Sequence, residues 1–190
     1  MRSYETLPEG YREIASIDLQ KDKKLLRRVN LLAMLIGLVM LVMGGVLMPP
    51  EVLLIPGKER LIRTWTMLVL MLVYLVLHEA VHGVLMRHYC KAKVRFGITG
   101  PFAYAASDGY FCKKHFAVIG LAPIVIWGVV LLIANILVDE SWFYVVWLVQ
   151  IMTVSGAAGD LYVSRWLKTL PADTLVHDTG VAMTAYSKAE

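Results

Sequence analysis

Apolar and polar positions alternate along this chain in blocks rather than in short periods. Four apolar blocks, at about 29–47, 64–86, 116–138 and 142–166, are each near the roughly 20 residues that a helix needs to cross a bilayer core of about 30 Å. Pro49-Pro50 stops the first block, and Asp139-Glu140-Ser141 forms a tight turn between the third and the fourth. Residues 1–28 are polar, with an amphipathic stretch at Ile14, Ile17 and Leu19, and read as a lead-in. Residues 167–190 carry Pro171, Asp173, Asp178 and Gly180 without strong periodicity and read as a tail. The segment 87–115 is mixed. Lys93-Val94-Arg95-Phe96 alternates like a half-buried strand, and Gly97 to Pro101 supplies a turn. Phe102-Ala103-Tyr104-Ala105 can return as a second strand, with Asp108-Gly109 as a further turn before Tyr110-Phe111. An irregular interfacial loop is the alternative. The pattern predicts an all-α membrane protein of about four transmembrane helices, with a small β-hairpin or irregular insertion after the second. The organisation is a lead-in at 1–28, one membrane domain at 29–166 and a tail at 167–190.

Composition agrees with this pattern. Of the 190 residues, 58% are hydrophobic and 18% are charged, and the mean hydropathy is +0.62. A soluble domain of this length is more polar. The net charge of +4 follows topology and not nucleic-acid binding, because basic residues gather in particular loops. Arg2, Arg12, Lys21, Lys23, Lys24, Arg27 and Arg28 precede the first block; Arg87, Lys91, Lys93, Arg95, Lys113 and Lys114 lie between the second and third. The turn at 139–141 has no basic residue. The positive-inside rule then predicts a multi-pass protein of the cell membrane with both termini and the 87–115 segment cytoplasmic. Trp65 and Trp142 fall at the outer interface and Trp166 at the inner one, as anchors. No cleavage pattern follows the first block, so it reads as a retained helix. Cys90 and Cys112 fit no zinc spacing and are expected as reduced thiols.

The chemistry concentrates in Leu77-His78-Glu79-Ala80-Val81-His82-Gly83, in the last third of the second block. Residues four apart on a helix share a face, so His78 and His82 can ligate one ion. Glu79, offset by one position, reaches a water on that ion and suits a general base. Zinc lowers the pKa of such a water to about 7. Three ionisable groups in one turn of a membrane helix are costly, about 2.5–3.5 kcal/mol for each charged one at the bilayer centre, and stability alone gives no reason to keep them there. Zinc hydrolases take a third protein ligand, for which Asp160, Asp108, His88 and His115 are candidates. Asp160 lies at a depth similar to His82, and Gly156, Ala157, Ala158 and Gly159 beside it allow close helix approach. Asp108 reads as a turn residue, while His88 and His115 read as interfacial or solvated. Tyr74, one turn before His78, is a packing residue or a hydrogen-bond partner of the ligand. Asn135 and Gln150 are expected to bond between helices.

At these residues the chain resembles bacterial zincin peptidases of the site-2-protease type. Leu-Pro-Glu-Gly-Tyr at 7–11, the HEAVHG string at 78–83, Leu-Ala-Pro at 121–123 and Gly-Asp-Leu at 159–161 occur in the order such proteins show. The resemblance implies His78, His82 and Asp160 as zinc ligands and Glu79 as the catalytic acid/base. Better-characterised members carry an Asn-Pro-type motif before an Asp-Gly; here Gly159 and Leu161 flank the aspartate. The reading is a membrane-embedded zinc metalloendopeptidase acting on peptide bonds of membrane or membrane-proximal substrates. Phe102 and Tyr104 are expected to help hold an extended substrate by strand addition. A non-catalytic zinc-binding membrane scaffold does not need Glu79. A metal or proton transporter wants polar groups along a whole path, and the outer halves of the spans are nearly all apolar.

Overall fold

A computed structural model gives the fold and describes every residue except Met1, Leu19, Leu54, Ile55, Gly100, Pro101, Val181, Ala189 and Glu190. The side chains of Leu53 and Phe102 also lie outside the described residues. In chain order the elements are β1 (Tyr11–Asp18), α1 (Lys23–Leu47), α2 (Lys58–Tyr89), β2 (Val94–Thr99), β3 (Phe102–Cys112), α3 (Lys113–Leu137), α4 (Phe143–Gly156), α5 (Ala158–Thr169), β4 (Leu175–Asp178) and β5 (Ala182–Lys188).

The helices follow the apolar blocks and begin at local signals. Asp22 caps α1, its carboxylate accepting from the backbone N–H of Lys24 and Leu25 at 2.9 Å each. Gly57, with φ 77°, turns the chain into α2. Among the described residues, four helical stretches are long and apolar enough to cross a membrane: α1, α2, α3, and α4 with α5 taken together. The outward faces of α1, α2 and α3 are apolar and exposed, as at Leu35, Leu38 and Val42 on α1, Val76 on α2 and Ile133 on α3, while α4 is mostly buried. Such a continuous band suits a hydrocarbon solvent and not water. Between helices, Asn135 Nδ2 donates to Gln150 Oε1 at 2.9 Å, the interhelical bond expected of these two residues.

The expected all-α class is wrong. The five strands form one antiparallel sheet in the order β1-β5-β4-β3-β2. Lead-in and tail pair directly, from Tyr11↔Lys188 to Asp18↔Ala182. The stretch around Ile14 and Ile17 is therefore a strand, and Leu19 lies outside the described residues. Such pairing joins segments from opposite ends of the chain, and no local period announces it. The hairpin of 87–115 does exist, with Phe96↔Ala105 and Thr99↔Phe102 in register, and its turn residues Gly100 and Pro101 lie outside the described residues. Asp108-Gly109 is not a turn. β3 runs through it with a register shift between Ser107 and Tyr110, and there the pairing passes from β2 to β4. Asp108 instead forms an ion pair with Arg95 across the hairpin.

The sheet packs on one end of the helical bundle. Met86 of α2, Phe111 of β3, Phe116 and Ile119 of α3, Leu167 of α5 and Val176 of β4 form the buried core between the two. Complete burial of each such side chain contributes about 1.5–3 kcal/mol. This core fixes the end of α2 that carries His78 and His82 against the sheet.

Candidate metal centre

The HEAVH turn sits on α2 where the helix emerges toward the sheet. His78 and His82, four residues apart, turn their rings to the same side, with Nε2 atoms 3.1 Å from each other. The opposite nitrogen of each ring has a partner that sets its tautomer. His82 Nδ1 lies 3.0 Å from the carbonyl oxygen of Ile119 in α3. A carbonyl only accepts, so Nδ1 carries the proton. That carbonyl is available for a sequence reason: its helical donor would be the N–H of residue 123, and Pro123 has none. His78 Nδ1 lies 2.7 Å from Tyr74 Oη, which is 3.4 Å from the carbonyl of Thr153 in α4. Tyr74 donates to Thr153, leaving its oxygen to accept Nδ1–H from His78. Both rings thus present a bare Nε2 to the same point, as ligating imidazoles do.

Asp160 completes the cluster. α4 ends at Gly156, Ala157 has φ −79° and ψ 13°, and α5 starts at Ala158, so the expected fourth helix is broken one turn before Asp160. Ala157 and Ala158 are 0% and 1% exposed; larger side chains would hold α5 away. Asp160 Oδ2 lies 3.3 Å from His78 Nε2, and Oδ1 lies 3.6 Å from His82 Nε2. Ligands about 2.0–2.1 Å from a tetrahedral zinc stand about 3.3 Å apart. The 3.1 Å between the two Nε2 atoms is close to that edge, and each imidazole faces one oxygen of the Asp160 carboxylate at 3.3 and 3.6 Å, a similar spacing. Two imidazoles and a carboxylate are also a donor set that suits zinc. Among the described residues, these three form the only group of His, Cys, Asp or Glu side chains placed to hold a metal.

The other candidates lie elsewhere. His115 stacks on Tyr89 with ring centroids 4.1 Å apart and bonds Ser3 Oγ at 2.9 Å. His88 meets the edge of Tyr89, and Asp108 is held by Arg95. Cys90 and Cys112 are buried thiols.

A cleft of about 160 Å³ opens over the cluster and is lined by Glu79, Tyr104, Asp178 and Gly180 as well as the three candidate ligands. Glu79, beside the ligand face, turns its carboxylate to the backbone N–H of Ala105 in β3. Tyr104 forms part of the wall, while the side chain of Phe102 lies outside the described residues. Gly180 has φ 98°, and a Cβ there would overlap the Tyr104 ring, so the β4–β5 turn closes tightly over β3. Asp178 is the residue that sequence reasoning missed. It is buried, its Oδ1 accepts from the Gly180 N–H at 2.7 Å, and it lines the cleft. Burial first, and then the nearby carboxylates Asp160 and Glu79, push its pKa up to about 7. Asp178-Thr179-Gly180 reads locally as a turn and nothing more; only the sheet carries it over α2.

Comparison with known proteins adds a family. No curated protein and no solved structure matches the chain. The family model described as "Putative zincin peptidase" matches residues 71–175, more than half of the chain, including His78, Glu79, His82 and Asp160. The chain belongs to this zincin-like peptidase family.

Proposed function

We propose that this protein is a multi-pass membrane zinc metalloendopeptidase that cleaves membrane or membrane-proximal proteins at the sheet-covered, cytoplasmic end of its bundle. The observation that carries this reading is the convergence of His78 Nε2, His82 Nε2 and the Asp160 carboxylate at spacings that suit one zinc ion, with Glu79 in the same cleft. In this reading His78, His82 and Asp160 hold the ion. Bound zinc supplies a Lewis acid that polarises a carbonyl and acidifies water. Glu79, one position off the ligand face, takes the proton of the attacking water and delivers it to the departing amide nitrogen. Tyr74 and the Ile119 carbonyl hold the two imidazoles in the ligating tautomer.

Substrate binding rests on the backbone of β3. A helical peptide hides its carbonyls in i→i+4 bonds, so a protease needs an extended segment. β3 pairs with β2 from Phe102 onward, and β4 joins it only from Ser107. Among the described residues no second strand pairs with Ala103 to Ala106 on the side away from β2, where the Ala105 N–H faces Glu79, and Ala103, Tyr104 and Ala105 line the cleft. An extended substrate adds there as a strand, with Tyr104 as a side-chain contact.

The roles separate on two variants. Glu79→Gln is expected to keep its zinc and to lose about 10²–10⁴-fold in turnover, the range typical of a general acid/base. Asp160→Ala is expected to lose zinc, while Asp108→Ala keeps it. Metal analysis of purified protein, with cleavage of a membrane substrate that accumulates in Glu79→Gln cells, reads both. Zinc loss in a folded Glu79→Gln protein would make Glu79 a ligand and overturn the assignment.

A further inference from the structure

The sheet-side end of α3 and α5 forms a groove of about 650 Å³ that the metal site does not use. Lys113 and Lys114 open α3 on one side, and Arg165 and Lys168 close α5 on the other. Ala117, Leu121 and Leu161 lie between them as an apolar floor. No acidic residue lines the groove, and none of its four cations makes an ion pair among the described residues. Lys113 Nζ donates to the Leu170 carbonyl at 2.6 Å, which ties it to the rim; Lys114, Arg165 and Lys168 are exposed. The opposite end of the bundle differs: its groove between the helix connections holds Glu51, Asp139 and Glu140.

We propose that this groove is a binding site for one anionic glycerophospholipid of the leaflet that the sheet faces. Three features fit that occupant together. The cations stand at the ends of membrane-long helices, at headgroup depth. The apolar floor continues onto the outward face of α3, where Val118 and Val125 are exposed, so an acyl chain has a path. Uncompensated positive charge clustered on both rims matches a phosphate diester and opposes a zwitterionic headgroup's choline. Bound lipid braces α5, the helix that carries Asp160. The inference rests on the membrane reading of the chain and not on its proteolytic activity.

The test uses the full chain in detergent micelles and native mass spectrometry, with phosphatidylglycerol and phosphatidylcholine as probes. A single retained phosphatidylglycerol, preferred over phosphatidylcholine, is expected. Each juxtamembrane cation contributes about fivefold, so the triple variant Lys114→Gln, Arg165→Gln, Lys168→Gln should weaken binding about a hundredfold. The control Lys23→Gln, Lys24→Gln, Lys91→Gln removes the same charge outside the groove and should bind as the parent does. Phosphatidylglycerol should raise the melting temperature of parent and control but not of the groove variant. Melting without lipid and zinc content, measured on all three, certify that each is folded. No preference between the two lipids, equal loss in the control, or displacement by soluble glycerol phosphate at matched concentration would each overturn the proposal.

Discussion

At the residue scale, the imidazole of His82 depends on an atom that Pro123 lacks. An alanine at 123 restores an N–H that competes for the Ile119 carbonyl and weakens the bond that His82 Nδ1–H makes to it. Pro123→Ala should therefore lower zinc affinity about 10–100-fold, the usual cost of losing a ligand's outer partner, although the helix itself gains a hydrogen bond. Tyr74→Phe should do the same through His78. Competition with a chelator of known affinity measures both, and unchanged affinity in both would mean that the rings need no outer partner. Asp178 makes a pH prediction. Its carboxyl titrates near 7 in the fold against an ordinary 3.8. Between those values the folded protein keeps a proton that the unfolded chain has released, so stability falls as pH rises through that window. Asn at 178 keeps an oxygen for the Gly180 N–H and has no proton to lose. The metal-free Asp178→Asn protein should gain melting temperature over the parent as pH goes from 5 to 8, and parallel curves would contradict the assigned titration.

At the element scale, two segments have roles that their own sequences only half announce. The small-residue run at 156–159 was legible as a close-approach surface, but its break into α4 and α5 comes from packing, because Ala157 and Ala158 are buried where the chain bends. β3 was legible as a return strand, yet its length and bulge depend on having two partners in succession. Successive residues of a strand point their N–H groups to alternate sides. Since the Ala105 N–H faces Glu79, that of Ala103 faces the cleft too. Ala103→Pro should thus lower turnover without lowering zinc content, whereas Ala103→Ser should do little. Equal activity of the proline variant and its parent on a matched substrate would remove strand addition from the reading.

For the whole molecule, the sheet gathers both ends of the chain at one end of the bundle, since β1 and β5 are neighbours. The turn at 139–141 joins α3 to α4 at the other end. Basic residues such as Arg87, Lys91, Lys93, Arg95, Lys113 and Lys114 lie on the sheet side, and the positive-inside rule is the ground for the cytoplasmic side proposed above. With Cys90 and Cys112 first changed to alanine, an impermeant thiol reagent added to intact cells should modify Glu140→Cys and spare Lys93→Cys. The reverse labelling would invert the topology and move the site to the outer face.

The sequence by itself determined the four apolar helical segments, because hydrophobic length is a local property that lipid reads directly. It also determined the HEAVH face, because a four-residue spacing on a helix fixes geometry without help from the rest of the chain. Asp160 was legible through matched depth, a property of two spans that can be counted from their ends. The sheet was not legible in full. Its outer strands pair residues from the two ends of the chain, and neither strand alone carries a signal of its partner. Tertiary structure alone brought Asp178 over the zincin helix, set β3 along the cleft, and turned Pro123 from a helix irregularity into the reason His82 finds an acceptor. Each of these depends on contacts between segments that local preference cannot join.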